Sequence, residues 1–200
     1  MPNSADILIH AGDFTSHSGN NEVTKFNDYL GTLTGIKHKV VIAGNHDATF
    51  DTKFASEQDV AKTKAMLTNC IYLQDSFVEL YGIKIYGSPW QPMYSGNGFQ
   101  LPARHMNTVW DKIPADTDIL VTHGPPHGVG DSNGTVNCGC KVLRDTVSER
   151  VRPSYHIFGH IHEAYGVWSD GETVFVNASI CNRGYRPTRK PILFDIDPKC

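Results

Sequence analysis

The chain repeatedly ends a short apolar run in a turn built from metal-ligand residues, and this pattern constrains its fold more than any other. Ile7-Leu8-Ile9 leads into Gly12-Asp13, and Val40-Val41-Ile42-Ala43 into Gly44-Asn45-His46-Asp47. Ile119-Leu120-Val121 leads into Thr122-His123-Gly124, and Ile157-Phe158 into Gly159-His160-Ile161-His162. Runs this short and this apolar read as strands buried on both faces, as in parallel sheets covered by helices. An open α/β sheet binds its ligands outside the carboxyl ends of its strands. Four such ends would gather an Asp, an Asn and several His along one edge. Oxygen and nitrogen donors without thiolate suit manganese, iron or zinc in a reactive site better than a structural zinc cage.

Periodicity predicts helices over residues 21–33, 57–67, 104–110 and 141–151. Strands are expected over 6–10, 39–43, 71–73, 77–80, 83–86, 118–122, 155–158, 164–168, 173–176 and 192–196. Gly82 and the Ser169-Asp170-Gly171 run mark two hairpins. Segment 87–102, with three prolines, three glycines and the aromatics Trp90, Tyr94 and Phe99, reads as a functional or mobile loop. No repeat or linker divides the chain, so residues 1–200 are read as a single domain of two packed mixed sheets with helices outside.

Composition excludes some functions. The formal net charge of −3 gives no basic excess of the kind a dedicated nucleic-acid binder carries. No apolar stretch approaches a membrane span, and no signal-peptide core follows Met1. Five cysteines (Cys70, Cys138, Cys140, Cys181 and Cys200) lack paired metal spacing and read as reduced thiols of a cytoplasmic protein.

Each motif has a plainer reading when taken alone. Gly-Asp after a strand is a common turn or helix cap, and Gly-Asn is turn-prone. The Asn45 carbonyl oxygen can nevertheless face a metal, with His46 toward substrate and Asp47 fixing its tautomer. His160 and His162, as alternate residues of a bent segment, can turn toward one site. Four such motifs together make coincidence a poor account.

These motifs resemble the calcineurin-like metallophosphoesterases, whose blocks run D-x-H, G-D, G-N-H-D/E, a histidine before glycine, and G-H-x-H. Four of the blocks stand here in order. Local phrases such as Leu8 to Thr15, Gly87 to Pro92 and Tyr185 to Thr188 are similar to the brain-expressed subgroup of animal metallophosphoesterase-domain-containing proteins. The resemblance implies a four-layer α/β/β/α sandwich and two divalent ions. Asp13 would bridge them, Asn45, His123 and His160 would complete the second site, and His162 would serve the first. His46 would contact phosphate and protonate the leaving group, Asp47 would orient His46, and a bridging hydroxide would attack phosphorus.

The D-x-H block has no counterpart. Asp6 and His10 lie within one strand, with three residues between them, and their register does not match it. The expectation is therefore an N-terminally truncated domain lacking its first strand, with one metal site complete and one incomplete. For substrate, Trp90, Tyr94 and Phe99 could stack on a base, while His127 and Arg183 or Arg186 could contact phosphate; each could equally be ordinary cover or surface. The first functional reading is a phosphodiesterase acting on small nucleotide-type phosphodiesters, without membrane or nucleic-acid partners. The alternative is a nucleotide- and metal-binding pseudoenzyme or regulatory module.

Overall fold

The computed structural model describes residues 4–199; Cys200 lies outside them. The apolar runs form strands as their composition requires. Strands β1 (Ala5–His10), β2 (Ile36–Val41) and β3 (Ile71–Tyr72) make a sheet in the order β1-β2-β3, parallel throughout. Helix α1 (Asn20–Thr32) crosses from β1 to β2, and α2 (Glu57–Ala65) lies between β2 and β3.

The second sheet contains β4 (Ser76–Leu80), β5 (Ile83–Ser88), β8 (Ile119–Thr122), β9 (Tyr155–Phe158), β10 (Gly166–Ser169) and β11 (Val174–Asn177). Its order is β10-β11-β9-β8-β5-β4, with antiparallel hairpins at both edges and parallel strands between. Short strands β6 (Gln91–Pro92) and β7 (Gln100–Leu101) bracket the aromatic loop. Helices α3 (Asn107–Trp110) and α4 (Lys141–Asp145) follow, the latter prolonged as a π-helix over Thr146–Val151.

Three apolar clusters show how these elements stack. Ile7, Ile9, Val40, Ile42, Ile85, Val121, Ile157 and Val176 fill the space between the two sheets. Tyr86, Leu120, Phe158 and Phe175 meet Val109, Trp110, Leu143 and Val147 of the helices on the far face of the larger sheet. Val23 and Phe26 of α1 meet Ala43, Phe50 and Tyr72 on the far face of the smaller one. The result is the four-layer α/β/β/α arrangement, because each sheet has one face for its partner sheet and one for helices.

One feature differs from the sequence expectation. Residues 192–196 form no strand: Ile192, Phe194 and Ile196 lean on the inter-sheet core, but no ladder joins the segment to a neighbour. Alternating apolar residues specify an extended half-buried segment, whereas a strand also needs a partner within hydrogen-bonding reach. Among the described residues β1 pairs with β2 alone. A channel of about 1400 Å³ runs between β1 and segment 191–198, past Ile83, Ile119, Ile157 and Val176, and reaches Asp13, His123 and His160.

Candidate metal centre

The carboxyl ends of β1, β2, β8 and β9 converge. Asp13, His123 and His160 each offer a ligand atom within 4.8 Å of the others, in a set of oxygen and nitrogen donors. Two of these residues sit in the left-handed backbone region, Asp13 at φ 59° and His160 at φ 65°. Non-glycine residues are held there only where the surroundings over-determine them, often at functional sites. The close approach also needs a glycine. A Cβ at Gly44 would collide with Asp13 Oδ1 and stand 2.5 Å from His123 Cε1.

The electrostatics of the cluster call for a cation. His123, 1% exposed, donates from Nδ1 to the Ala11 carbonyl at 2.8 Å, which leaves Nε2 as the lone-pair nitrogen of a neutral ring. That nitrogen faces Asn45 Oδ1 at 3.0 Å and Asp13 Oδ2 at 3.3 Å. Three acceptors pointed at one another repel unless a proton or a metal ion lies among them. Burial opposes charge on His123, yet Asp13 raises its pKa above the ordinary imidazole value. Burial alone would raise Asp13 too, but His123 and the His46 N–H hold it well below the usual carboxylate range. His160 is pushed down, first by burial and then by His123, and stays a neutral donor. Asn45 is 1% exposed, and its Nδ2 has no hydrogen-bond partner. The residues thus fit a divalent ion, with Asn45 Nδ2 left to donate to an oxygen brought in by a ligand.

His162 opens onto the same cavity but stands outside the three-residue cluster. Its Nδ1 donates to the Asn182 carbonyl at 3.0 Å, which aims Nε2 inward. Arg189 fastens this turn: one guanidinium nitrogen donates to the carbonyls of His162, Ser179 and Cys181. Sequence reading missed Arg189, since it lies in coil with no periodic signal.

His46 is partly exposed at the cavity wall, and its Nδ1 donates to the Ser16 carbonyl at 3.2 Å. Nε2 is thereby the free nitrogen. The expected contact from Asp47 is not made. Asp47 accepts the N–H groups of Asp13, Thr15 and Gly44 at 2.8, 2.9 and 2.8 Å, and the Thr15 hydroxyl at 2.7 Å. It ties the ends of β1 and β2 together, while Ser16 orients His46. Burial pushes the Asp47 carboxyl up to about 7, with Asp13 adding to the rise and the Thr15 and Gly44 donors opposing it.

The remaining expected residues are held elsewhere. Trp90 donates from Nε1 to Asp75 at 2.9 Å and packs edge-on against Phe99. Phe99 is 0% exposed and has no face to offer a ligand. Arg183 pairs with Glu163 and donates to the Asn133 carbonyl at 2.6 Å, fastening a loop beside the site. His127 lies 3.6 Å from the Asp131 carboxylate. Cys140 caps α4 and receives the Trp110 indole N–H at 3.4 Å. His10 is pushed down to about 4, mainly by burial, and its Nδ1 accepts the Gly12 N–H. It packs against Phe14 and Phe26 beside the centre.

The fold is thus a set of parallel strands whose carboxyl ends hold Asp, Asn and His around one cation-demanding centre. The chain belongs to the calcineurin-like phosphoesterase family, whose model matches residues 1–164. It is 48% identical over 211 aligned positions to metallophosphoesterase domain-containing protein 1 of Homo sapiens, covering 96% of this chain and 64% of the human protein. It is 44% identical over 205 positions to the UPF0046 protein C25E10.12 of Caenorhabditis elegans, covering 96% of this chain and 73% of that one. A solved crystal structure shares the fold at a TM-score of 0.65 and 16% identity, over 87% of this chain and 79% of the other. The chain spans 64% of the length of its human and mouse relatives.

Proposed function

We propose that the protein is a metal-dependent phosphodiesterase acting on small, nucleotide-type phosphodiesters in the cytoplasm. The observation that carries this reading is the convergence of His123 Nε2, Asn45 Oδ1 and Asp13 Oδ2, three acceptors that a cation would reconcile. Asp13, Asn45, His123 and His160 would hold one ion, and Asp13 with His162 a weaker second; manganese, iron or zinc suits these donors. Bound divalent ions supply water activation and neutralise charge on phosphoryl oxygens. The chain's own residues provide the rest. Asn45 Nδ2 would donate to a phosphoryl oxygen, and His46, anchored through Nδ1 on Ser16, would take up a proton at Nε2 from solvent and pass it to the leaving oxygen. Asp47 keeps the two loops in register so that Asp13 and His46 face the same substrate.

Support for a phosphoesterase comes from family membership; the diester preference belongs to the proposal and is what the assay below tests. No helix among the described residues is long and apolar enough to cross a membrane. A second reading, a nucleotide- and metal-binding module without turnover, draws on His162 standing apart from the three-residue cluster. Hydrolysis of bis-p-nitrophenyl phosphate with added manganese, with His46→Ala as control, separates the two. Turnover that the control loses supports the enzyme; a folded, metal-binding protein with no turnover supports the module.

A further inference from the structure

Two tyrosines flank the metal centre from opposite loops. Tyr94 lies with its ring 5.2 Å from His160, and Tyr185 lies 5.2 Å from His162 and 6.1 Å from His46. Both remain exposed, Tyr94 by 60% and Tyr185 by 68%. Single exposed aromatics are ordinary on a protein surface, but two converging on one set of ligand residues are not scattered cover.

Both are presented by built loops. The side-chain oxygen Oε1 of buried Gln100 accepts the N–H groups of Tyr94, Ser95 and Gly96 at 3.2, 3.2 and 3.0 Å. Tyr185 is held at φ 56°, a left-handed conformation costly for an aromatic residue. Its N–H donates to the Asn182 carbonyl at 2.9 Å, the oxygen that also orients His162. The Asn182 side chain accepts the N–H groups of Gly184 and Arg186 on either side. The turn that aims His162 therefore also sets Tyr185.

We propose that Tyr94 and Tyr185 form an aromatic pincer that selects phosphodiesters carrying a planar aromatic ring on the ester group that stays behind. This deepens, and rests on, the phosphodiesterase reading. With phosphate over Asp13, His123 and His160, an ester substituent leaving the mouth passes between the two rings. A flat ring stacks there at a gain of about threefold to tenfold per tyrosine, whereas a methyl or bare sugar has no face to offer. The ring could belong to a nucleoside or to a simple aryl ester.

The test uses three substrates with the same p-nitrophenolate leaving group and a thymidine, phenyl or methyl residual ester. With manganese present, kcat/KM for the thymidine or phenyl ester should exceed that for the methyl ester by about tenfold or more, carried by KM. Tyr94→Ala and Tyr185→Ala should each shrink that ratio severalfold, and the Phe variants should restore it. A phenyl ester as good as the thymidine ester points to any aromatic ring, and a better thymidine ester to nucleosides. A wild-type ratio near one, or a ratio unmoved in both Ala variants, overturns the pincer. Binding of AMP against ribose 5-phosphate, measured by calorimetry on the metal-free and manganese-loaded protein, keeps this outcome separate from catalysis. If no ester is turned over but AMP binds better and the Ala variants lose that margin, the phosphodiesterase reading fails and the pincer stands. Equal binding of the two overturns the pincer.

Discussion

The backbone N–H of His46 donates to Asp13 Oδ1 at 2.9 Å, so the residue that would hold metal and the residue that would move a proton share one hydrogen bond. The side chains can still be separated by mutation, because the bond uses the His46 backbone and not its ring. His46→Ala should lower kcat by about 10²–10⁴-fold while leaving metal content near that of the wild type, measured by elemental analysis beside the phosphodiester assay. Loss of metal together with activity would make His46 a ligand.

Asp47 is expected to act on architecture. In Asp47→Asn one oxygen becomes an NH2 group, facing N–H donors that Asp47 now satisfies. Leaving a buried donor unpaired costs about 1–3 kcal/mol. Urea unfolding should show a loss of that order, with weaker metal binding. The pH dependence of kcat should keep its shape, whereas a displaced pH profile at unchanged stability would show that Asp47 does orient His46.

Gly44 tests the packing of the centre. Its missing Cβ leaves the space that Asp13 and His123 use. Gly44→Ala should weaken manganese binding by about tenfold or more, on the scale of disturbing the support of a metal ligand. Calorimetric titration of the metal-free protein measures it, and wild-type affinity in the variant would mean that the two side chains have room to move.

Acid stability offers a check away from the metal. Thr122 Oγ1 donates its one proton to the Gly124 carbonyl, so His156 Nε2–H donates to Thr122 and Nδ1 is the bare nitrogen, buried without a partner. Burial, aided by Arg144, lowers His156 to about 3. The unfolded chain takes up this proton near pH 6.5 while the folded chain does not. The contribution is therefore complete above about pH 6.5 and is lost as pH falls toward 3. Between pH 7.5 and 5 it amounts to about 2 kcal/mol. Urea unfolding of His156→Gln should show a slope with pH shallower by that amount, and parallel slopes would contradict it.

Much of the site was legible because apolar runs ending in Asp, Asn and His specify both a strand and what its end carries. That logic brings Asp13, Asn45, His123 and His160 to one edge, where the fold also gathers them. It failed where adjacency in sequence was taken for contact in space. Asp47 follows His46 at a tight turn that sends the two side chains apart, and neither a pattern nor a spacing shows that. Trp90 and Phe99 were legible as aromatic, but not as half-buried and buried respectively, because a loop gives no periodicity from which to read a face. Tyr185 and Arg189 lie in coil positioned by hydrogen bonds that span 20 and 27 residues of sequence, a relation only the fold supplies.

The central claim is that the acceptors around His123 hold a divalent ion. Manganese titration of the metal-free wild type beside His160→Ala and His123→Ala, with circular dichroism to confirm folding, tests it most directly. The account predicts one tightly bound ion per wild-type chain and a weaker second, with the tight ion lost in both folded variants. Unchanged stoichiometry and affinity in both would contradict it.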